Sequence, residues 1–527
     1  MKNIQLTLLT LLIVTVTSAQ NFNGFALYNE GGGNTTYLID ENQNPAHTWN
    51  MSTACNYTVQ LKENGNLVRG TKGNASVFST GNIASGAGQV QEIAPDGSIV
   101  WSFDYADNDH ISHHDLTLVG DNVLLTAYEK KSSTELNAAG FNNASSEKWP
   151  THFIELEDDG NGGANIVWEW YIWDHMCQDT DANGPNYVSS ISDNPHLIDI
   201  NMIQAQGGGG GGGGDWFHVN GVDYNEDLDQ IVFSSRFASE IYIIDHSTTS
   251  AEAASHSGGN SGMGGDVLYR WGNPSNYEMS GTQVIPNAVH DVRWITDDGR
   301  PNSGFLQIFN NSGVSNNQSA IDGIETPWDA STNTYLRSSG QPFSPASYST
   351  RYECAYSASG QSASDRMSNG NIFVNASAGG GGSGTMYEVD SLGTILWGPT
   401  SGGLKGFRYE CDYPGITALE PFMTNTTSTS CFDATAIIEN TLANELTIFP
   451  NPTKDVVTIN FETLTLQDIN INIINSLGQK VYASSFNNNL GTLNEKVNLS
   501  SFSEGLYFVK ITNDKGESVA ERIAHIK

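Results

Sequence analysis

The sequence predicts an all-β chain, a six-bladed β-propeller followed by a small C-terminal β-sandwich. Three observations predict it: hairpin units that end in tryptophan, glycine-rich turns with no amphipathic helix between them, and a change of pattern near residue 446. Two units nearly superimpose, Glu92-Ile-Ala-Pro-Asp-Gly97-Ser-Ile-Val-Trp101 and Glu388-Val-Asp-Ser-Leu-Gly393-Thr-Ile-Leu-Trp397. In both, a glycine separates two apolar runs, as a tight hairpin turn requires. Looser copies end at Trp49, Trp168 and Trp271, and Ile321-Asp-Gly-Ile324 leading to Trp328 is the candidate for a degenerate sixth. Closing such units into a ring leaves few unpaired strand edges.

Taken in order, the chain opens with Lys2, an apolar run from Leu6 to Val16 and Thr17-Ser18-Ala19. Residues 1–19 are therefore expected to be a secretory signal peptide. Residues 22–423 are expected to form the propeller. The glycine run from Gly207 to Gly214 has no side chains to pack and lacks the lysine and helix of a phosphate-binding loop, so it reads as a flexible excursion. Thr424-Asn-Thr-Thr-Ser-Thr-Ser430 opens a linker over residues 424–445. Across residues 446–527, Val456 to Phe461, Ile469 to Ile474 and Gly505 to Ile511 alternate with period two, and no cluster of catalytic residue types accompanies them.

Charge excludes one class of partner. The 58 acidic and 23 basic residues leave a formal charge of -35, which disfavours nucleic acid. No later stretch approaches the roughly 20 apolar residues of a transmembrane segment, so a secreted or cell-surface protein is expected. Of five cysteines, Cys411 and Cys431 are the expected pair, and no Cys-x-x-Cys spacing suggests zinc. Asp179-Thr-Asp181-Ala-Asn183-Gly184 resembles the start of a calcium loop, yet position twelve is Ser190 rather than glutamate, so no metal is expected.

His114, His218 and His290 each follow a tryptophan and open a strand-like run. A closed ring would aim all three at one place, which makes them a candidate site. Their neighbours Asp115, Asn220 and Asp291 are expected to fix imidazole tautomers, and Arg236 and Arg293 to meet an anion. His47, His152, His196, His246 and His256 read as structural, the usual fate of a lone histidine.

Two resemblances extend this reading. Ile448-Phe-Pro-Asn-Pro-Thr453, Asn475-Ser-Leu-Gly-Gln-Lys480 and Gly505-Leu-Tyr-Phe-Val509 resemble the C-terminal sorting domain of type IX secretion cargo. That implies dealings with the type IX machinery and export through the periplasm and across the outer membrane. Trp216-Phe-His-Val-Asn-Gly-Val-Asp-Tyr224, Tyr269-Arg-Trp-Gly-Asn-Pro274, His290-Asp-Val-Arg-Trp-Ile295 and Ile308-Phe-Asn-Asn311 resemble the bacterial aryl-sulfate sulfotransferase family, as does Trp168-Glu-Trp-Tyr-Ile-Trp-Asp-His175. The resemblance implies sulfuryl transfer from an aryl sulfate to a phenol through a sulfated histidine, without nucleotide or other cofactor. It adds His175 and Asn310 as candidate substrate contacts, beside His218 and Asn220.

The family's later-blade histidine has no counterpart here, since no histidine lies between His290 and His525, and Ser312 to Ala320 holds no basic residue. The nucleophile then falls to His290 or His114. The alternatives are a catalytically silent propeller that binds a small ligand or surface glycan, or a cell-surface adhesin.

Overall fold

The computed structural model describes residues 23–79, 83–203, 214–377, 379, 383–424, 431, 446–475, 479–513 and 518–526. The expected signal peptide, the glycine run up to residue 213 and most of the 424–445 linker lie outside the described residues. The chain divides into two compact units, Met1–Cys431 and Phe432–Lys527.

In the first unit the described residues form six four-stranded antiparallel sheets, with two short two-stranded pairs beside them. Six strands head these sheets: β1 (Cys55–Leu61), β2 (His110–Val119), β3 (Val219–Asn225), β4 (Val289–Trp294), β5 (Ala363–Arg366) and β6 (Gly406–Glu410). In five sheets the remaining strands follow later in the chain. In the sixth, β6 pairs with Gly24–Asn29, so the two ends of the unit share one sheet, in register from Gly24↔Glu410 to Tyr28↔Gly406. Heading strands touch in the order β1 to β6, and β6 returns to β1.

The repeated tryptophans hold neighbouring sheets together. Trp49, Trp101, Trp168, Trp271 and Trp397 all lie buried on the outermost strand of their sheet. Four donate their indole N–H to the sheet that follows around the ring or to its connecting loop: Trp49 to Ala94 O, Trp168 to Thr248 Oγ1, Trp271 to Pro345 O and Trp397 to Glu41 O. A large apolar ring with one polar handle suits such a seam. The expected sixth anchor is corrected: Trp328 sits in an inserted hairpin with Tyr335, and the outermost strand of the fourth sheet is Thr350–Glu353.

Four aspartates, Asp115 and Asp291 buried and Asp223 and Asp365 half-buried, link the heading strands by accepting backbone N–H groups across the seams. Asp115 of β2 accepts from Val222 (3.0 Å), Asp223 of β3 from Trp294 (2.9 Å), Asp291 of β4 from Ser364 (3.0 Å) and Asp365 of β5 from Arg408 (2.8 Å). Lys405, fully buried just before β6, spans two of them, with Nζ 2.6 Å from Asp115 and 3.1 Å from Asp291. Arg293 adds a second cation, 3.3 Å from Asp291. Burial pushes Asp223 and Asp365 up to about 6, partly offset by Arg293. Buried carboxylates require such partners, so the inner ring is an ion-paired lock.

Cys411 and Cys431 form the expected disulfide, and Cys55, Cys177 and Cys354 are buried and unpaired. The loop at Asp179 to Gly184 closes on the Gln178 amide, which accepts from Thr180 N and Asp181 N and donates to Asp181 O. No helix among the described residues is long and apolar enough to cross a membrane.

The second unit is a five-stranded antiparallel sheet of Thr447–Phe449, Val456–Asn475, Lys480–Asn498, Gly505–Asn513 and Ser518–His525. Val457, Ile459, Phe461, Ile469, Ile471 and Ile473 are buried at alternate positions and pack with Val509, Ile511 and Ile523. Period two puts these side chains on one face.

Candidate active site

β2, β3 and β4 each lose pairing register where they enter their sheets, between Ser112 and Leu116, Val219 and Gly221, and His290 and Arg293. Such bulges insert a residue and re-aim side chains. His114 and Asp291, inside their bulges, and His218, just before β3, adopt left-handed backbone, with φ of 53°, 50° and 50°. That conformation is costly for residues with a Cβ.

The bulges bring the three histidines together. Ring centroids of His114 and His218 stand 4.5 Å apart, and those of His218 and His290 6.4 Å. All three are buried. His113 joins from behind: its Nδ1 lies 2.7 Å from His114 Nδ1, and its ring stacks on Tyr128.

Each ring is oriented through Nδ1. His218 Nδ1 faces Asp215 Oδ2 at 2.5 Å. His290 Nδ1 faces Ala288 O at 2.9 Å and Asn311 Oδ1 at 2.7 Å. Asn311 donates its amide N–H to Ala358 O, which turns its oxygen toward the imidazole. His290 therefore carries its proton on Nδ1 and a lone pair on Nε2. Among the described residues, Nε2 of His114, His218 and His290 has no hydrogen-bond partner.

Burial, followed by the nearby positive charge of His218 and Arg236, pushes His290 down to about 3. Burial and the neighbouring histidines hold His114 well below its usual value. Asp215 would be raised by burial, but the His218 charge and hydrogen bond outweigh this and keep it low. Because the folded pKa of His290 is depressed, the stability it contributes is present above pH 6.5 and is lost as pH falls toward 3. In nitrogen NMR of histidine-labelled protein, His290 is expected to stay neutral at pH 5. Titration of that ring between pH 6 and 7 would contradict the burial argument.

Arg236 completes the cluster. Its backbone N–H donates to His218 O (3.2 Å), and its charge acts on His290. Its guanidinium makes no hydrogen bond or ion pair among the described residues, which leaves a fork of donors for an oxyanion.

Other expected contacts lie elsewhere. Asp115 and Asp291 do not orient imidazoles; both face Lys405, because the residue after each bulge points into the ion-paired ring. Arg293 lies in that ring too and stacks on Phe407. Asn220 donates to Val289 O and accepts from Ser234, which leaves its second amide hydrogen unused. Asn310 is held by Asp322 and Asn287 N, and its neighbour Asn311 reaches the histidine instead. His175 is held by Asp266 and Ala253 O at the end of the second sheet's outermost strand. Sequence reasoning missed Asp215 and Asn311. Asp215-Trp-Phe-His218 puts a carboxylate three residues before a histidine, which was a usable signal; Asn311 had only its adjacency to Asn310.

Cavities of about 1510 and 290 Å³ open elsewhere, the smaller among Arg293, Arg300, Arg366 and Arg408. The imidazole cluster brings oriented polar groups together outside both cavities, which makes it the candidate site.

Residues 13–335, which hold all three histidines, Asp215, Arg236 and Asn311, match the model of the family described as Arylsulfotransferase (ASST). The chain belongs to the arylsulfotransferase family. Residues 447–525 match the model described as Secretion system C-terminal sorting domain, which indicates export to the cell surface or secretion. A curated relative, the endo-acting ulvan lyase of Formosa agariphila, is 25% identical over 170 residues, covering 28% of this chain and 32% of the relative. The chain thus spans about a third of that relative's length. Among solved structures, hydrazine synthase of Kuenenia stuttgartiensis is similar at TM-score 0.30 and 12% identity, covering 57% of this chain and 67% of that one. AztD of Citrobacter koseri is similar at TM-score 0.31 and 9% identity, covering 90% and 98%. Likenesses this weak carry no argument, and the fold rests on the strand pairing above.

Proposed function

We propose that the first unit is a six-bladed β-propeller, with a C-terminal β-sandwich after it, and that it transfers a sulfuryl group from an aryl sulfate to a phenol through His290. The single observation that carries this reading is the set of Nε2 atoms without partners, beside Arg236, on rings whose Nδ1 atoms are fixed. Six sheets whose heading strands close in a circle support the propeller.

In the first half-reaction His290 Nε2 attacks sulfur and the aryl O–S bond breaks. Arg236, His114 and the remaining N–H of Asn220 hold the sulfuryl oxygens. His218, steadied by the Asp215 carboxylate, gives a proton to the departing phenolate. In the second half the neutral His218 takes the proton of the acceptor phenol, the phenolate oxygen attacks sulfur, and His290 is released. No nucleotide or metal takes part. The donors matter the more because a protein of charge -35 repels sulfate esters from a distance.

The test is direct: folded protein is incubated with 4-nitrophenyl sulfate and phenol, and nitrophenol release is followed. Turnover that needs both partners, with a sulfated peptide containing His290, is expected. No release with a range of phenols would favour the silent ligand-binding propeller or the adhesin.

A further inference from the structure

We infer that His175, His256 and Asp266, with His196 in reach as a fourth ligand, form a structural site for a zinc-class transition metal. The site lies where the outermost strands of the second and third sheets begin and end. His175 follows the strand Ala164–Tyr171, and Asp266 precedes the strand Val267–Trp271. None of these residues belongs to the imidazole cluster, so the inference stands whichever reading of that cluster holds.

The geometry converges on one oxygen. His175 Nδ1 lies 2.8 Å and His256 Nδ1 2.7 Å from Asp266 Oδ1, and the three groups offer ligand atoms within 4.8 Å of one another. His196 Nε2 lies 4.0 Å from Asp266 Oδ2. A tetrahedral ion with bonds of ~2.0–2.1 Å needs ligand atoms about 3.3 Å apart, so small shifts would seat it. His256 is largely exposed and free to make such a shift.

The surroundings set the tautomer a metal needs. His175 Nε2 faces Ala253 O at 2.8 Å, an acceptor alone, so this nitrogen carries the proton. In the neutral ring, Nδ1 then presents a lone pair to a carboxylate oxygen, which a bound cation would turn from repulsion into coordination. Ligating histidines commonly donate their other N–H to a backbone carbonyl in this way. The ring is fully buried and stacked on Trp170, whose indole donates to Gly265 O next to Asp266. A methyl group at Gly265 would come within 2.6 Å of His175 Nε2, so the backbone is shaped to the ring. Imidazole and carboxylate donors suit zinc and its neighbours rather than calcium or magnesium.

The full chain, stripped with a chelator and repurified, is to be loaded with zinc or cobalt. About one equivalent of metal is expected to survive desalting, with visible bands of tetrahedral cobalt and a higher Tm than the stripped protein. His256→Gln, an exposed change that leaves the core intact, is expected to retain below about a fifth as much and to lose the Tm shift. Failure of the wild-type chain to retain metal, with an unchanged Tm, would overturn the site and leave His175 as a structural side chain held by Asp266 and Ala253 O. Equal retention by His256→Gln would overturn it as well.

Discussion

His290→Ala is expected to lower kcat for sulfuryl transfer on the order of 10⁴-fold, the scale on which enzymes lose a covalent nucleophile. The argument rests on proton placement. Two acceptors, Ala288 O and Asn311 Oδ1, hold the Nδ1 proton, and burial keeps the ring neutral to about pH 3, so the Nε2 lone pair is available at any working pH. His218 differs because its Nδ1 meets the Asp215 carboxylate, which fixes the ring and leaves its Nε2 to pass protons. The alanine variant leaves Asn311 Oδ1 without its donor, a cost of about 1–3 kcal/mol that the folded unit should survive. Circular dichroism would establish that. The sulfated peptide should vanish in His290→Ala and persist in His114→Ala; sulfate recovered on a His114 peptide would move the nucleophile there.

Lys405→Met is expected to destabilise the first unit by roughly 3–5 kcal/mol, because it strands two buried carboxylates. Lys405 touches Asp115 of β2 and Asp291 of β4, so one substitution loosens the ring on both sides of the histidine cluster. The pH dependence gives the sign. Burial already pushes the Asp115 carboxyl up, and without the lysine both acids would take up protons more readily. The deficit should therefore shrink as pH falls from 7 toward 4. Wild-type Asp223 and Asp365, raised to about 6, contribute stability at low pH that declines as pH rises through 6. Denaturant midpoints at pH 7 and 5 would read both effects. A loss below about 1 kcal/mol, the range of exposed pairs, would show that the inner ring is hydrated rather than locked.

Much of the architecture was legible in the sequence because periodicity reports burial. Five of the six tryptophans at the ends of the hairpin units fell on outermost strands, where a buried indole closes a seam. Trp328 misled because tryptophan also serves an inserted hairpin, and the fourth sheet seals its edge with Tyr352. His114, His218 and His290 were legible as a set because each lies where a heading strand enters its sheet.

What the sequence determined by itself was therefore the repeating unit, the all-β class, the family and its sorting domain, and the three histidines. All of these depend on local spacing, which a linear pattern records. Only the tertiary structure decided which way neighbouring side chains point and which distant groups they meet. It turned Asp115 and Asp291 away from the imidazoles toward Lys405, replaced Asn310 with Asn311, and paired His218 with Asp215. It also gathered His175, His196, His256 and Asp266, which no spacing rule joins. The physical reason is that a bulge reverses the facing of successive residues, and buried charge settles on whichever partner the closed ring brings within reach.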